Sequence, residues 1–355
     1  MAKILIKNGR IWDGEKFFYA DVLTSDNKIE KIEPDICDKA NFVYDASGKT
    51  VTAGLVDSHI HMRGISRDIY GAQAEMCCFP FGVTAAADAE AVLGDRALLD
   101  SFMLKNVVFV PVTVKNDELD VTNTEELLRR YGDRTVGIKL YFDYTMSEVS
   151  SINALVRACE YAHSKGLRLM VHCSNSPTKA SEILNALSAG DILTHAFHGG
   201  KNTVLEDGFE SLKKAQERGV IVDIGMAGNV HVNFNVLENA IKSGIVPFSI
   251  STDITKNSLF QRGGRYGLTM CMSIVEHLGL SEADVLRAVT SNPARSLGKA
   301  NEWGYLKVGR TADIAVLDRE GGGFDITDKQ GNHINSERGY RCVLTVADGI
   351  LVYRD

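Results

Sequence analysis

The 355-residue chain has no excess of positive charge. Its 39 lysines and arginines are outnumbered by 46 aspartates and glutamates, giving a net charge of -7, and no basic stripe is visible. Phosphate backbones are bound by clustered lysine and arginine, so nucleic acid is not the expected partner. The acidity leaves the charge of a small substrate open, because a site can be locally positive on an acidic protein. No run approaches the roughly 18 apolar residues of a membrane-spanning helix. The opening Met1-Ala2-Lys3-Ile4-Leu5-Ile6 has no long apolar stretch ahead of a cleavage site. Seven cysteines form an odd set without repeated spacing, and only Cys77 and Cys78 are neighbours. The C-x-x-C pairs of a cysteine zinc site are missing. Reduced thiols in a cytoplasmic protein are the expectation. Low-complexity segments and short internal repeats are lacking too.

What is present is ample core material, with 45% hydrophobic residues. The length exceeds the commonest single domain of about 100–150 residues, and suits a barrel of about 250 residues with a small accessory module. Both ends read as β. Lys3 to Lys7, Phe18 to Leu23, Ile29 to Ile32 and Phe42 to Tyr44 open the chain; Ala312 to Leu317, Cys342 to Val346 and Ile350 to Tyr353 close it, the last behind the Asp348-Gly349 hairpin signal. The middle alternates apolar runs with amphipathic stretches. Eight strands are predicted: Val51 to Val56, Ala85 to Ala87, Val107 to Val112, Gly137 to Leu140, Leu167 to Val171, Ile192 to Thr194, Val220 to Ile224 and Val246 to Ser251. Helices are predicted over Glu125 to Tyr131, Ser151 to Lys165, Lys179 to Ser188, Gly208 to Arg218 and Phe234 to Lys242, with Gly166 and Gly244 as stops. The predicted class is α/β: a (β/α)₈ TIM-like barrel over residues 54–302, with a small β-sandwich built jointly from residues 1–53 and 303–355.

The polar residues fall in a pattern. Of nine histidines, His59 and His61 follow the first barrel strand, His172 ends the fifth and His195 the sixth. Asp253 follows the eighth, and Lys139 lies inside the fourth. In such barrels the C-terminal rim carries the chemistry. His59 and His61 are two residues apart, so on an extended strand both rings face one way and can reach one cation. A lysine in an apolar strand is costly as a charge. Lys139 either snorkels its amine to the rim or reacts with CO₂ to form a carbamate, an anionic oxygen ligand able to bridge two metals. Taken singly, His172 and His195 also fit core histidines, and Asp253 a helix cap or turn. Six groups of metal-ligand type at one end of one barrel are better explained by one shared site.

These residues resemble the amidohydrolase superfamily. The resemblance rests on Gly54-Leu55-Val56-Asp57-Ser58-His59-Ile60-His61, Gly82-Val83-Thr84, Lys139, Val171-His172, Thr194-His195 and Ser251-Thr252-Asp253. It extends through Thr290 to Gly298 and Leu306 to Ile314, thus over nearly the whole chain. The lysine on the fourth strand resembles the two-metal branch of dihydroorotases, hydantoinases and related deacetylases. The resemblance implies two divalent cations, zinc first, about 3.5–4 Å apart. His59, His61 and Asp253 would bind the more buried cation, His172 and His195 the more exposed one, and carboxylated Lys139 would bridge them. It further implies a metal-bridging hydroxide as nucleophile and Asp253 as the catalytic proton shuttle, acting on an amide, cyclic amide or acylated small molecule.

Substrate hints are fewer. Arg63 follows His61 in the H-x-H-x-R arrangement that dihydroorotases use for a substrate carboxylate, and a guanidinium fork suits that task. Gly64-Ile65-Ser66 then replaces the usual Asp-Pro-Gly, which puts a pyrimidine substrate in doubt. His198 and His231 are read as substrate-pocket residues. Arg262, Arg265 and Tyr266 lie in a glycine-rich loop that either positions substrate or is plain surface. His163, His277 and His333 are read as structural. Alternatives kept open are a nucleobase deaminase of adenine type, an ester or lactone hydrolase on the same site, and a barrel that has lost catalysis. A homo-oligomer is compatible with the sequence.

Overall fold

The structure, a computed structural model, describes residues 2–62, 73–94, 96–261 and 266–355. Two eight-stranded sheets divide the chain. Strands β1 (Lys3–Trp12), β2 (Phe17–Ser25), β3 (Lys28–Glu33), β4 (Phe42–Asp45) and β5 (Thr50–Ala53) belong to the first. The second holds β6 (Leu55–Ile60), β7 (Val83–Asp88), β8 (Lys105–Lys115), β9 (Glu118–Asp120), β10 (Thr135–Tyr141), β11 (Arg168–His172), β12 (Ile192–Thr194) and β13 (Ile221–Val222). The chain then returns to the first sheet with β14 (Ile314–Thr327), β15 (His333–Ala347) and β16 (Ile350–Arg354).

The second sheet is parallel in the order β6-β7-β8-β10-β11-β12-β13, with β9 a short antiparallel addition to β8. Its strands are apolar and buried on both faces, as a sheet wrapped by helices requires. The helices do the wrapping for readable reasons. In Ile152–Ser164 the buried residues Ala154, Leu155, Ala158, Cys159 and Ala162 follow a helical period, and Ser151 accepts a hydrogen bond from Asn153 N–H at the start. Phe234–Lys242 begins with Asn233 accepting from Val236 N–H. Gly166 and Gly244 both adopt left-handed φ just past their helices, as the stop signals predict.

Two expectations are corrected. The predicted first strand, Val51 to Val56, is two strands in two different sheets. Gly54 is the break, because a Cβ there would lie 1.9 Å from Thr84 Oγ1. This close approach lets the backbone pass directly from β5 to β6, so His59 sits within β6 rather than after it. The predicted eighth strand, Val246 to Ser251, does not form a continuous ladder. Pro247 has no N–H to donate, and Val246 is exposed. The eighth place is filled by this segment and the residues just after it, through bridges from Ser249 to Asp223 and from Ile254 to Ile60. Hydrogen bonds from Ile224 N–H to Ser249 O, Asp253 N–H to His59 O and His61 N–H to Ile254 O complete the circle.

The termini form one continuous sheet, β16-β15-β14-β5-β1-β2-β3 with β4 beside β1. Ile4, Ile6, Val22, Val51, Ile314, Val316 and Val343 share its apolar core. The sequence reading placed only the near halves of β14 and β15. The far halves continue as a hairpin along the barrel. Ser273 Oγ accepts from Tyr340 N–H, and Arg319 pairs with Glu276. At its tip, buried Asp328 accepts from Phe234 N–H at 2.9 Å, and Asn229 donates to the Thr327 carbonyl. Among the described residues all seven cysteines are free, and no helix is long and apolar enough to cross a membrane.

The Gly54 contact is testable. Gly54→Ala should destabilise the protein by about 1–3 kcal/mol, the usual cost of overpacking, read as a lower unfolding midpoint. Placed in a Thr84→Ala background, which removes the two nearest atoms, the same change should cost less. Equal costs in both backgrounds would contradict the contact.

Candidate metal centre

Each residue of the centre is delivered by the C-terminal end of a barrel element. His59 is in β6 and His61 just past it; Lys139 is in β10; His172 ends β11; His195 follows β12. His231 lies beyond a short turn at Ala227–Asn229. Asp253 follows the closing segment. All but His231 are buried, and Lys139 has no exposed surface.

The groups fall into two clusters. In the first, Asp253 Oδ1 is 3.2 Å from His59 Nε2 and 2.9 Å from His61 Nε2. Lys139 Nζ stands 3.3 Å from the same His59 Nε2. In the second, His172, His195 and His231 each offer a nitrogen within 4.8 Å of the others. Asp253 Oδ2 is 3.7 Å from His195 Nε2 and links the clusters. The sequence reading joined His172 with His195 and set His231 apart as a pocket residue; the structure brings all three together.

Outer partners fix which nitrogen of each ring faces the centre. Thr194 Oγ1 donates to Asp223 Oδ2, so it accepts from His59 Nδ1, 3.0 Å away. His59 Nε2 therefore keeps a lone pair. That lone pair lies 3.2 Å from a carboxylate oxygen and 3.3 Å from the Lys139 amine, and acceptors set face to face in this way suit a cation between them. His195 Nδ1 donates to the Gly225 carbonyl at 2.7 Å, and His195 Nε2 is buried without a hydrogen-bond partner among the described residues. The close approach depends on Gly225 itself, where a Cβ would lie 2.5 Å from His195 Nδ1. His172 Nε2 donates to Asp143 Oδ2 at 3.2 Å, leaving Nδ1 for the cluster. Such outer carboxylate and carbonyl partners are the usual means of orienting metal-binding imidazoles. The donor set of imidazoles and one carboxylate suits a divalent metal of zinc type.

The backbone is strained where it matters. His195 and Asp253 both adopt left-handed φ, +61° and +47°, at a cost of about 1–2 kcal/mol each for a non-glycine residue. Asp253 is held there by neighbours. Asp57 accepts from Thr252 N–H at 3.1 Å and from Thr252 Oγ1 at 2.7 Å, and Tyr266 donates to the Thr252 carbonyl.

Burial sets the charges. It pushes His59 down to about 4, helped by the Lys139 charge, and takes His231 and His198 down to about 4 as well. Burial lowers His172 and holds His195 well below the usual imidazole value. The Lys139 amine is pushed by burial down to about 8. Asp253 moves the other way: burial would raise it, but the imidazoles of His59 and His61 hold it well below the usual carboxylate range. The neutral rings are thus ready to ligate, and Asp253 carries the negative charge.

The remaining sequence candidates divide. His198 is buried, with Nδ1 accepting from Gly200 N–H in its own turn. Tyr266 is buried behind Asp253 rather than on a surface loop. Arg63, Arg262 and Arg265 lie outside the described residues. His163 pairs with Asp191, His277 packs on Phe324 and His333 pairs with Asp325, all structural roles. The sequence reading missed Asp143, Asp223 and Asp57. Asp143 and Asp223 follow the ends of β10 and β13 closely, and that position was the available signal. A cavity of about 690 Å³ opens beside the centre, lined by Glu90, Leu93, Pro111, Val112, Tyr141 and Met146 among others. Tyr141, one of its lining residues, lies 5.4 Å from Lys139 Nζ and 5.6 Å from the His172 ring, measured at the ring centroid.

Comparison with known proteins bears on the fold and the family. A deacetylase from Enterococcus faecalis is 26% identical over 367 residues, covering 98% of each chain. A dihydroorotase from Syntrophotalea carbinolica is 24% identical over 431 residues, covering 99% of each. Among solved structures, a dihydroorotase superposes with a TM-score of 0.88 at 24% identity, over 99% of this chain and 98% of that one. An adenine deaminase gives 0.85 at 23% identity, over the whole of both. At these identities the structural likenesses speak for the barrel and its appended sheet. Residues 50–352, which carry both histidine clusters, Lys139 and Asp253, match the amidohydrolase family, and the chain belongs to that family.

Proposed function

We propose that this chain hydrolyses an amide, cyclic amide or N-acylated small molecule, with two divalent cations, zinc first, held by His59, His61, Lys139, His172, His195 and Asp253. One observation supports this above the others. Two ligand clusters share the mouth of one barrel, with a fully buried lysine amine 3.3 Å from the first and a carboxylate spanning both. The deacetylase and dihydroorotase relatives support the same bond class.

A divalent cation bound there polarises a carbonyl oxygen and lowers the pKa of water towards about 7. The protein's own groups do the rest. Asp253 is ionised and in reach of both clusters, so it accepts the proton released as water attacks and returns it to the departing nitrogen. The products are a carboxylate and an amine. Tyr141, whose hydroxyl donates to Glu90 at 2.7 Å, lines the neighbouring cavity, which would take a substituent of the substrate. Arg63 would pair with a substrate carboxylate.

The state of Lys139 follows from its surroundings. A buried ammonium without a full counter-charge is costly, and burial brings the amine down to about 8. The neutral amine could add to CO₂, forming an N–C bond and releasing one proton, and the resulting carbamate would offer anionic oxygens to the cations. Bicarbonate labelled with ¹³C should give a carbamate resonance in the metal-loaded protein, absent from Lys139→Gln. An identical spectrum in both would remove the carbamate.

Asp253→Asn should lower kcat by about 10²-fold or more, the usual scale for a lost proton-transfer group, while metal content is partly or fully kept. Turnover within tenfold of the parent, with metal bound, would end the proton-transfer assignment. In a panel of N-acyl amino acids, acylated hydroxy acids, hydantoins, dihydroorotate and adenine, the N-acyl or cyclic amide compounds should be hydrolysed. Activity confined to adenine, or to the ester substrates, would overturn the amide reading.

A further inference from the structure

We infer that His231 is a ligand of the second cation, completing a three-imidazole site with His172 and His195; the inference rests on the two-metal reading above. In that reading the second cation has two histidines and the bridging Lys139. The structure places a third ring among them. Ring centroids are 4.3 Å apart for His195 and His231, 4.9 Å for His172 and His231, and 4.4 Å for His172 and His195. One nitrogen of each lies within 4.8 Å of the other two. Tetrahedral ligands at about 2.0–2.1 Å from zinc stand roughly 3.3–3.4 Å apart, a separation reached from here by small side-chain rotations.

The outer contacts match from ring to ring. His172 is held through Nε2 by Asp143, and His195 through Nδ1 by the Gly225 carbonyl. His231 is held through Nδ1 by Ser174 Oγ at 2.7 Å. Unlike the Asp143 carboxylate and the Gly225 carbonyl, the Ser174 hydroxyl can donate or accept; in the tautomer where it accepts from Nδ1–H, Nε2 of His231 keeps its lone pair as the inner nitrogens of the other two rings do. Asp143 is in turn fixed by Thr145 and Asn175. A ring that merely lines a substrate pocket has no need of this arrangement, whereas metal ligands regularly show it.

The segment carrying His231 is also anchored. Ala227 adopts φ +49° and Gly228 +79°, Ala227 N–H donates to the Thr252 carbonyl, and Asn229 reaches the hairpin tip at Thr327. These contacts aim the ring at the centre. The chemical consequence is an asymmetry. Asp253 lies within 3.2 Å of both imidazoles of the first cluster but 3.7 Å from His195 in the second, so a cation held by the second trio would have less anionic charge around it and would be the better one to polarise a substrate carbonyl.

The test is metal stoichiometry and affinity, independent of turnover. Parent, His231→Ala and Ser174→Ala proteins, checked for folding by circular dichroism, are stripped with chelator and titrated with zinc and with cobalt(II). The parent should take up two cations. His231→Ala should keep the first and weaken the second by more than about 100-fold, beyond the roughly 10–100-fold cost of losing an outer hydrogen-bond partner. Ser174→Ala should fall within that smaller range. The visible cobalt spectrum of the second site should change in His231→Ala. Unchanged second-site affinity and spectrum in His231→Ala, with only a raised KM, would return His231 to a substrate-contact role. A parent protein that binds no cation overturns the two-metal reading and this inference with it; one that binds two while His231→Ala also binds two equally well overturns this inference alone.

Discussion

The centre depends on the closure of the barrel between its first and last elements. The Asp253 N–H donates to the His59 carbonyl at 2.7 Å, and the His61 N–H to the Ile254 carbonyl at 3.0 Å. These two bonds place the Asp253 carboxylate against both imidazoles of the H-x-H pair. Asp57, two residues before His59, reinforces the closure by holding Thr252 through both its N–H and its hydroxyl. A left-handed aspartate is unfavourable alone, and it persists here because its flanking residues are tied from several sides.

Electrostatics follow from that closure. A buried amine and several buried imidazoles converge on one space, and Asp253 lies against the rings of His59, His61 and His195 there. Burial lowers the pKa of the rings, and their contacts with Asp253 lower that of its carboxyl. Beneath them Asp223 gathers hydroxyls from Thr194, Ser249 and Ser251, at 2.7, 2.6 and 2.7 Å. Through Thr194 this carboxylate fixes the orientation of His59. The barrel interior is thus polar just under the centre, with its donors and acceptors satisfied by one another, as a buried polar network must be.

The sheet built from the two termini is more than an appendage. Its β14–β15 hairpin runs along the barrel, and its tip pins the start of the helix at Phe234 through Asp328. That helix follows the segment bearing His231, and Asn233 N–H bonds to the Phe197 carbonyl beside His198. Residues nearly a hundred positions further along the chain therefore steady two loops at the mouth.

The alternation of strands and helices, the helix stops at Gly166 and Gly244, and the placement of His61, His172, His195 and Asp253 at or just past strand ends, with Lys139 inside the fourth strand, were legible in the sequence, because each is encoded by local periodicity and spacing. The split of the first strand at Gly54 was not, since it arises from a contact with Thr84 thirty residues away. The eighth segment was placed rightly, at Val246 to Ser251 beside the seventh strand, but it pairs through isolated bridges rather than a ladder, because Pro247 lacks an N–H and its partners on the two sides are engaged at different points. The orienting roles of Asp57, Asp143 and Asp223, and the meeting of His231 with His172 and His195, depend on which side chains face each other across the barrel. One-dimensional order fixes which strand a residue ends; only the closed ring of strands fixes its neighbours, because those contacts join residues whose separation along the chain carries no local signal.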